Sequence, residues 1–239
     1  MRNRAMTAPS PTANIALLID ADNASPDSLE GVLTVLAELG AVNVRRVYGN
    51  WSKASLKGWA AMTHAQALDP QQQFDVTKGK NATDMKMVID AMDLLHRGTV
   101  QGFGIMSSDS DFMPLAMRIR QDGLPVYGFG TAKTPESFRQ ACTRFIDVGA
   151  LEAYAQDAAP ADKPEVDPAL VELLGDAVKA SKRDERGFAS LSEVGQRASA
   201  RSSFDARTYG YARLSELIDA LPNFTTERRD NGVFVKRVH

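Results

Sequence analysis

Three acidic clusters in this sequence have the residue types and spacing of a divalent-metal site. Their sequences are DADN at residues 20–23, NATD at residues 81–84 and DSD at residues 109–111. Oxygen ligands, with neither His nor Cys beside them, suit Mg²⁺ or Mn²⁺ and do not suit zinc. Such ions orient phosphate oxygens and lower the pKa of a bound water, which then becomes a nucleophile. The clusters therefore predict a site that handles phosphate.

The elements around these clusters predict that their carboxylates meet. An apolar strand over 14–20 ends on Asp20, and a second strand over 102–107 ends just before Asp109. Thr83 is expected to cap a helix, which places Asp84 in its first turn. Loops at the carboxyl ends of parallel strands line one edge of a sheet, where ligands bind. We therefore expect Asp20, Asp84 and Asp109 to converge at that edge.

Five further residues are candidates for the same site. Asp22 and Asp111 lie two residues further along their turns, and Asn23 is placed to contact a phosphate or to orient a ligand. Lys78 and Lys80 would bring positive charge to the scissile group. Carboxylates at close range raise one another's pKa, and the repulsion costs several kcal/mol unless a cation intervenes.

Each acid also has a purely structural interpretation. Asp20 could cap the following helix, Asp109 and Asp111 could form a turn, and Asp84 would be favoured by the helix dipole alone. The joint pattern at three separate strand or helix ends favours the metal site. We interpret Asp90 and Asp93 as solvated charges on a helix face and exclude them.

Length and composition set the broad class of protein. The chain has 239 residues, 44% of them hydrophobic, and a formal net charge of -2, so contact with nucleic acid would need local basic patches. The one cysteine, Cys142, excludes an intrachain disulfide and a thiolate zinc cluster, and we interpret it as a core residue. No apolar run is long enough to span a membrane, and residues 1–14 contain no apolar signal region, so the expected address is cytoplasmic.

Strand and helix patterns alternate as far as residue 154, which is typical of a doubly wound α/β sheet. Among the predicted strands are 42–48 and 73–77. Beyond them, amphipathic helices over 170–180, 191–198 and 209–221 precede a hairpin over 224–238 that turns at Asn231-Gly232, a winged-helix outline. The predicted organisation is a disordered tail over 1–13, a first α/β module over 14–154, a linker over 155–168 and a second module over 169–239.

The first module resembles the NYN domain of the PIN-like nuclease superfamily, LabA-like branch. The resemblance rests on IDADN at 19–23, GKNATD at 79–84, VIDAM at 88–92 and SSDSDF at 107–112, and it covers about 14–149. It implies a PIN-like parallel-sheet α/β sandwich and metal-dependent RNA cleavage. The implied catalytic residues are Asp20, Asp84 and Asp109, which would hold Mg²⁺ or Mn²⁺, with Asn23 and Asp111 in support.

The second module is similar to the OST-type helix-turn-helix, or LOTUS, domain. The resemblance rests on residues 204–211, on RLSELI at 213–218 and on the hairpin, and it implies binding of RNA or of a protein partner. Residues 165–239 contain 12 Lys and Arg against 12 Asp and Glu, so the module is neutral. Within 196–213, however, the sequence contains four arginines and one acid, and this segment is either a patch that can bind phosphate or a solvated helix face. The four arginines are Arg197, Arg201, Arg207 and Arg213.

Three functions remain open. The leading one is a metal-dependent endoribonuclease, in which Lys78, Lys80, Ser107, Ser108, Arg207 and Arg213 contact RNA. The second is a phosphatase of the haloacid-dehalogenase type with Asp20 as nucleophile and Asp22 as acid and base, although Ala24 stands where that family usually has Thr or Val. The third is a non-catalytic adaptor that binds RNA or protein. We also consider a homodimer.

Overall fold

The computed structural model describes residues 13–74, 81–155, 167–229 and 232–238. Its first module is a six-stranded sheet in the order β3-β2-β1-β4-β5-β6, and every neighbouring pair is parallel. The predicted α/β architecture is confirmed. The strands are β1 (Asn14–Asp20), β2 (Ala41–Gly49), β3 (Asp69–Gln72), β4 (Gly102–Met106), β5 (Val126–Gly130) and β6 (Arg144–Asp147).

Helices cover both faces of this sheet, so β1 and β4 are buried almost throughout and read as unbroken apolar runs. The helices are α1 (Leu29–Ala37), α2 (Lys57–Ala65), α3 (Ala82–Arg97), α4 (Met113–Gln121), α5 (Glu136–Ala141) and α6 (Val148–Ala155). One core contains the inner faces of α3, α4 and α5, and the other contains those of α1 and α2. No described helix combines the length and the apolar character that a membrane crossing requires.

The described part of the second module contains three α-helices and a small antiparallel sheet. Its elements are α7 (Pro168–Ala180), β7 (Ala189–Ser190), α8 (Leu191–Arg201), α9 (Leu214–Ala220), β8 (Phe224–Arg229) and β9 (Gly232–Arg237). The strand order is β7-β9-β8, and Arg229 pairs with Gly232 next to the predicted turn. The hairpin is therefore confirmed, whereas Asn231 lies outside the described residues.

The two modules meet at the edge strand β6. The Phe145 amide donates to the Ser203 carbonyl at 2.9 Å, and the Thr208 hydroxyl donates to the Phe145 carbonyl at 3.1 Å. Asp205, only 2% exposed, accepts from both Arg144 and Arg207. The loop before α9 thus covers part of an open sheet edge, which would otherwise present unpaired backbone groups.

Several element predictions need correction. The third strand is Asp69–Gln72, not 73–77: Gln73 and Phe74 are irregular, and the rest of that stretch lies outside the described residues. Its sequence is polar because β3 is an exposed edge strand. The predicted helix over 209–221 is interrupted, since Gly210 is left-handed at φ 78 and α9 begins only at Leu214. Helix α6 was not predicted. The proposed tail, except for Ala13, and most of the proposed linker lie outside the described residues.

Candidate active site at the carboxyl edge of the sheet

Two of the three acidic clusters follow strands that are neighbours at the centre of the sheet. Strand β1 pairs with β2 on one side and with β4 on the other, and Ile19 lies opposite Met106 in the register. After β1 the chain continues to β2 on one side of this central pair, and after β4 it continues to β5 on the opposite side. This is a topological switch point, where the loops diverge and leave a crevice at the carboxyl edge. Asp20 and Asp109 both flank that crevice.

The carboxylate of Asp20 is buried and held by three donors. The Asp22 amide donates to one oxygen at 3.1 Å, while the Asn23 side-chain amide and the Ser107 hydroxyl donate to the other at 2.9 and 2.7 Å. Burial raises the pKa of Asp20, and these hydrogen bonds oppose that rise because they favour the charged form. These hydrogen bonds therefore fix the orientation of the Asp20 carboxylate. Asp20 does not serve as the N-cap of α1, which is Ser28.

Ser107 connects the two acidic loops. Its hydroxyl donates to Asp20 and accepts from the Asp109 amide at 3.0 Å, and Ser107 is 1% exposed. The predicted contact of Ser107 with substrate is therefore replaced by a buried link between the acids. Ser108 is partly exposed, and its hydroxyl accepts from the Thr131 amide at 3.1 Å.

Asp109 and Asp111 form a compact turn. The Asp109 carboxylate accepts from the Asp111 amide at 2.9 Å and thereby caps the 3-10 turn Ser110–Phe112. The Asp111 carboxylate in turn accepts from the Asn81 side-chain amide at 2.8 Å. Asn81 is the N-cap residue of α3, a position that the sequence prediction gave to Thr83. The turn after β4 and the start of α3 are thus joined directly.

Asp84 is influenced by the acids of the other two clusters. It lies in the first turn of α3. Burial, and after it the charges of Asp20, Asp109, Asp111 and Asp22, raise the pKa of Asp84 to about 6. A carboxylate takes up such a value when burial and neighbouring like charges both disfavour its charged form. Asp22 also forms an ion pair with Lys53 at 3.5 Å.

A buried ion cluster holds α3 against β2. Asp90 accepts from the Lys86 ammonium at 2.7 Å, from the Tyr48 hydroxyl at 3.2 Å and from Arg46 at 3.3 Å. Asp90 is 6% exposed, so the interpretation of this residue as a solvated charge was wrong, whereas Asp93 is exposed as expected. Because Asp84 lies on the same helix, the cluster fixes where its carboxylate sits.

The donor set has the chemistry of a hard-cation site, with carboxylate and amide oxygens only. Among the described residues, however, no three His, Cys, Asp or Glu side chains stand at the spacing that would hold one ion. The acids are therefore close enough to repel one another but are not gathered at ligand distance. Lys78 and Lys80 lie outside the described residues.

The predicted arginine patch is largely neutralised in the fold. Arg197 pairs with Glu193 at 2.8 Å and Arg201 with Asp176 at 3.5 Å. Arg207 contacts both Asp205 and Glu38, and its side chain is 16% exposed, so this residue is a link between modules and not a free phosphate contact. Of the four, Arg213 keeps an exposed side chain without an acidic partner at ion-pair distance among the described residues.

Comparison with known proteins identifies both modules. The family model of the NYN domain matches residues 14–152, and that of the OST-HTH/LOTUS domain matches residues 162–235. The first match covers more than half of the chain and includes all the acidic clusters. No curated protein matches the sequence.

Two solved structures have partly similar shapes. A Vibrio parahaemolyticus protein of unknown function is 15% identical, with a TM-score of 0.49, and the match covers 59% of this chain and 96% of that one. A carbohydrate transporter from Acidothermus cellulolyticus, solved with myo-inositol, is 12% identical with a TM-score of 0.29, covering 81% of this chain and 53% of the other. Likeness at this level contributes nothing to the functional argument.

Proposed function

Because this chain belongs to the NYN domain family, within the PIN-like nuclease superfamily, we propose that it is a metal-dependent endoribonuclease. The observation that supports the proposal is a chain of hydrogen bonds between the acidic loops: Ser107 bonds to Asp20 and to the Asp109 amide, and Asn81 at the start of α3 bonds to Asp111. The OST-HTH/LOTUS module supports RNA as the substrate, since that domain suggests RNA binding.

Asp20, Asp84 and Asp109 would hold Mg²⁺ or Mn²⁺ in this proposal. A bound divalent ion would supply positive charge to the phosphate oxygens and lower the pKa of an attacking water. The role of Asn23 and Ser107 is to hold the Asp20 carboxylate in one orientation through their hydrogen bonds. Asn81 does the same for Asp111, which supports the site from the turn after β4.

The proposal is tested by RNA cleavage with EDTA, Mg²⁺ and Mn²⁺ in parallel. We expect cleavage of mixed-sequence RNA with either ion, none with EDTA, and a loss of at least about a hundredfold for Asp20→Asn or Asp109→Asn. Asp93→Asn is the matched control, because Asp93 is exposed on α3 and has no part in the site. Undiminished cleavage by either site variant would refute the assignment.

One observation favours a second candidate, the non-catalytic adaptor. No three acids among the described residues are placed to hold an ion as they stand. Retention of RNA that is independent of metal and yields no product would support this alternative. For the phosphatase alternative, Asp20 would have to attack a phosphate, and its buried carboxylate is hydrogen-bonded at both oxygens. A phosphomonoester in the same assay tests that alternative.

A further inference from the structure

We propose that the outer face of the small sheet in the second module binds single-stranded RNA by stacking bases on two phenylalanine rings. The choice of RNA as the ligand rests on the proposed function. The RNA contact, however, lies on a different surface from the arginine patch predicted from the sequence. The surface consists of Phe188, Arg229, Phe234 and Lys236, and we call it the aromatic face.

The strand register brings these residues to one side of the sheet. Phe234 and Lys236 alternate with Val235, which is fully buried in the core of the module, so their side chains point away from that core. Phe234 pairs with Glu227 on β8, two residues from Arg229 and on the same side. Phe188 directly precedes β7, whose Ala189 pairs with Val235.

Three cations lie near Phe188, and one of them, Arg229, also lies over Phe234. The Arg229 guanidinium lies 4.3 Å from the centroid of Phe234 and 5.4 Å from that of Phe188. The Arg186 guanidinium, which also pairs with Glu227 at 3.0 Å, and the Lys236 ammonium approach Phe188 to 5.4 and 5.9 Å. Alternating aromatic rings and cations match single-stranded nucleic acid, since every base has a stacking face and each nucleotide carries one negative charge.

The face is also preorganised. Asp184 and Glu227 hold Arg229 at 2.8 and 3.1 Å, which fixes the planar guanidinium beside the rings. The rings themselves are partly exposed, so they keep surface on which a base can stack. Arg197 and Arg201 of α8 are also paired with acids, but among the described residues neither lies over an aromatic ring. The observations therefore favour the aromatic face of the small sheet over the arginines of α8 as the surface that contacts RNA.

The test is RNA affinity of the full chain, measured by fluorescence anisotropy with a single-stranded oligonucleotide in EDTA. We expect Phe234→Leu and Phe188→Leu, which keep apolar bulk but remove the ring, each to weaken binding about fivefold or more. Lys236→Ala should weaken binding and reduce the slope of log affinity against log salt by roughly 0.7, because one cation that meets a phosphate is removed. The ring variants should leave that slope unchanged.

Arg201→Ala is the matched control, because it removes a cation of the same module that pairs with Asp176 away from the rings. Its affinity should equal that of the parent chain. Thermal unfolding checks that each variant folds; if a ring variant does not, Lys236→Ala and Arg186→Ala, whose side chains are exposed or partly exposed, decide the matter.

Two results would overturn the inference. The first is that the ring and cation variants bind RNA with the same affinity as the parent chain; the ligand of the aromatic face would then be a protein partner. The other is absence of RNA binding by the parent chain. Metal-dependent cleavage is scored separately on the same proteins, so a chain that cleaves RNA but does not need this face would refute the inference and preserve the proposed function.

Discussion

Replacing Asp84 by asparagine should stabilise the fold at neutral pH. The pKa of Asp84 is raised from 3.8 to about 6 by burial and by the neighbouring carboxylates. At about 1.4 kcal/mol per pH unit, that difference corresponds to an upper bound of about 3 kcal/mol. Because Asp84 is only half-buried, solvent screening reduces the effect, and we expect about 1 kcal/mol.

The sign depends on pH. The folded state holds the Asp84 proton more tightly than the unfolded state does, so the stability linked to that proton is complete below pH 3.8 and is lost as pH rises through about 6. The amide of the variant does not titrate, so the gain of the variant over the parent should be near zero in acid and reach its full value above pH 6. Attraction between Asp84 and the dipole of α3, about 0.3–1 kcal/mol, opposes this gain.

Urea unfolding of both proteins in EDTA, across this pH range, measures the difference directly. Mg²⁺ should then raise the free energy of unfolding of the parent more than that of Asp84→Asn, because bound cation replaces the missing counter-charge. Asp93→Asn, on the exposed side of the same helix, should show neither effect. Destabilisation by Asp84→Asn that grows with pH would refute the reasoning, since the dipole would then outweigh the carboxylate repulsion.

Three further predictions concern buried groups outside the acidic site. Asp205→Asn should lower the free energy of unfolding by about 2–4 kcal/mol in urea titrations, because Arg144 and Arg207 lose their shared counter-ion; an unchanged value would contradict the contact between modules. Asp90→Asn should destabilise by about 2–3 kcal/mol and lower RNA cleavage with Mg²⁺ in excess, since α3 loses its anchor; full activity would remove its positioning role. Burial raises the pKa of the Cys142 thiol to about 12, so iodoacetamide should label it only after denaturation, as mass spectrometry would show; labelling of the native protein would contradict its burial.

The sequence allowed the main features of the candidate site to be predicted because strand ends carry strong local signals. Apolar runs that stop at Asp20 and just before Asp109 placed both acids at one edge of a sheet without knowledge of its strand order. What could not be foreseen was the adjacency of β1 and β4, which depends on long-range pairing. The link through Ser107 follows from that adjacency.

Charges were harder to interpret because their partners are distant in sequence. Asp90 looked solvated, yet Arg46 and Tyr48 reach it from β2. Arg207 has one acid, Asp205, within its own segment, but its second partner, Glu38, lies 169 positions away. The burial and the pairing of charged groups depend on how whole elements pack, and that packing cannot be inferred from local composition.

The most direct test of the central claim is a Mn²⁺ titration followed by electron paramagnetic resonance. The claim predicts that the parent chain and Asp93→Asn bind Mn²⁺ with equal affinity and that Mg²⁺ displaces it. Asp20→Asn, Asp84→Asn and Asp109→Asn should each bind much more weakly while remaining folded. Parental Mn²⁺ affinity in Asp109→Asn, or no binding by the parent chain, would contradict the claim that acids from three elements form one cation site.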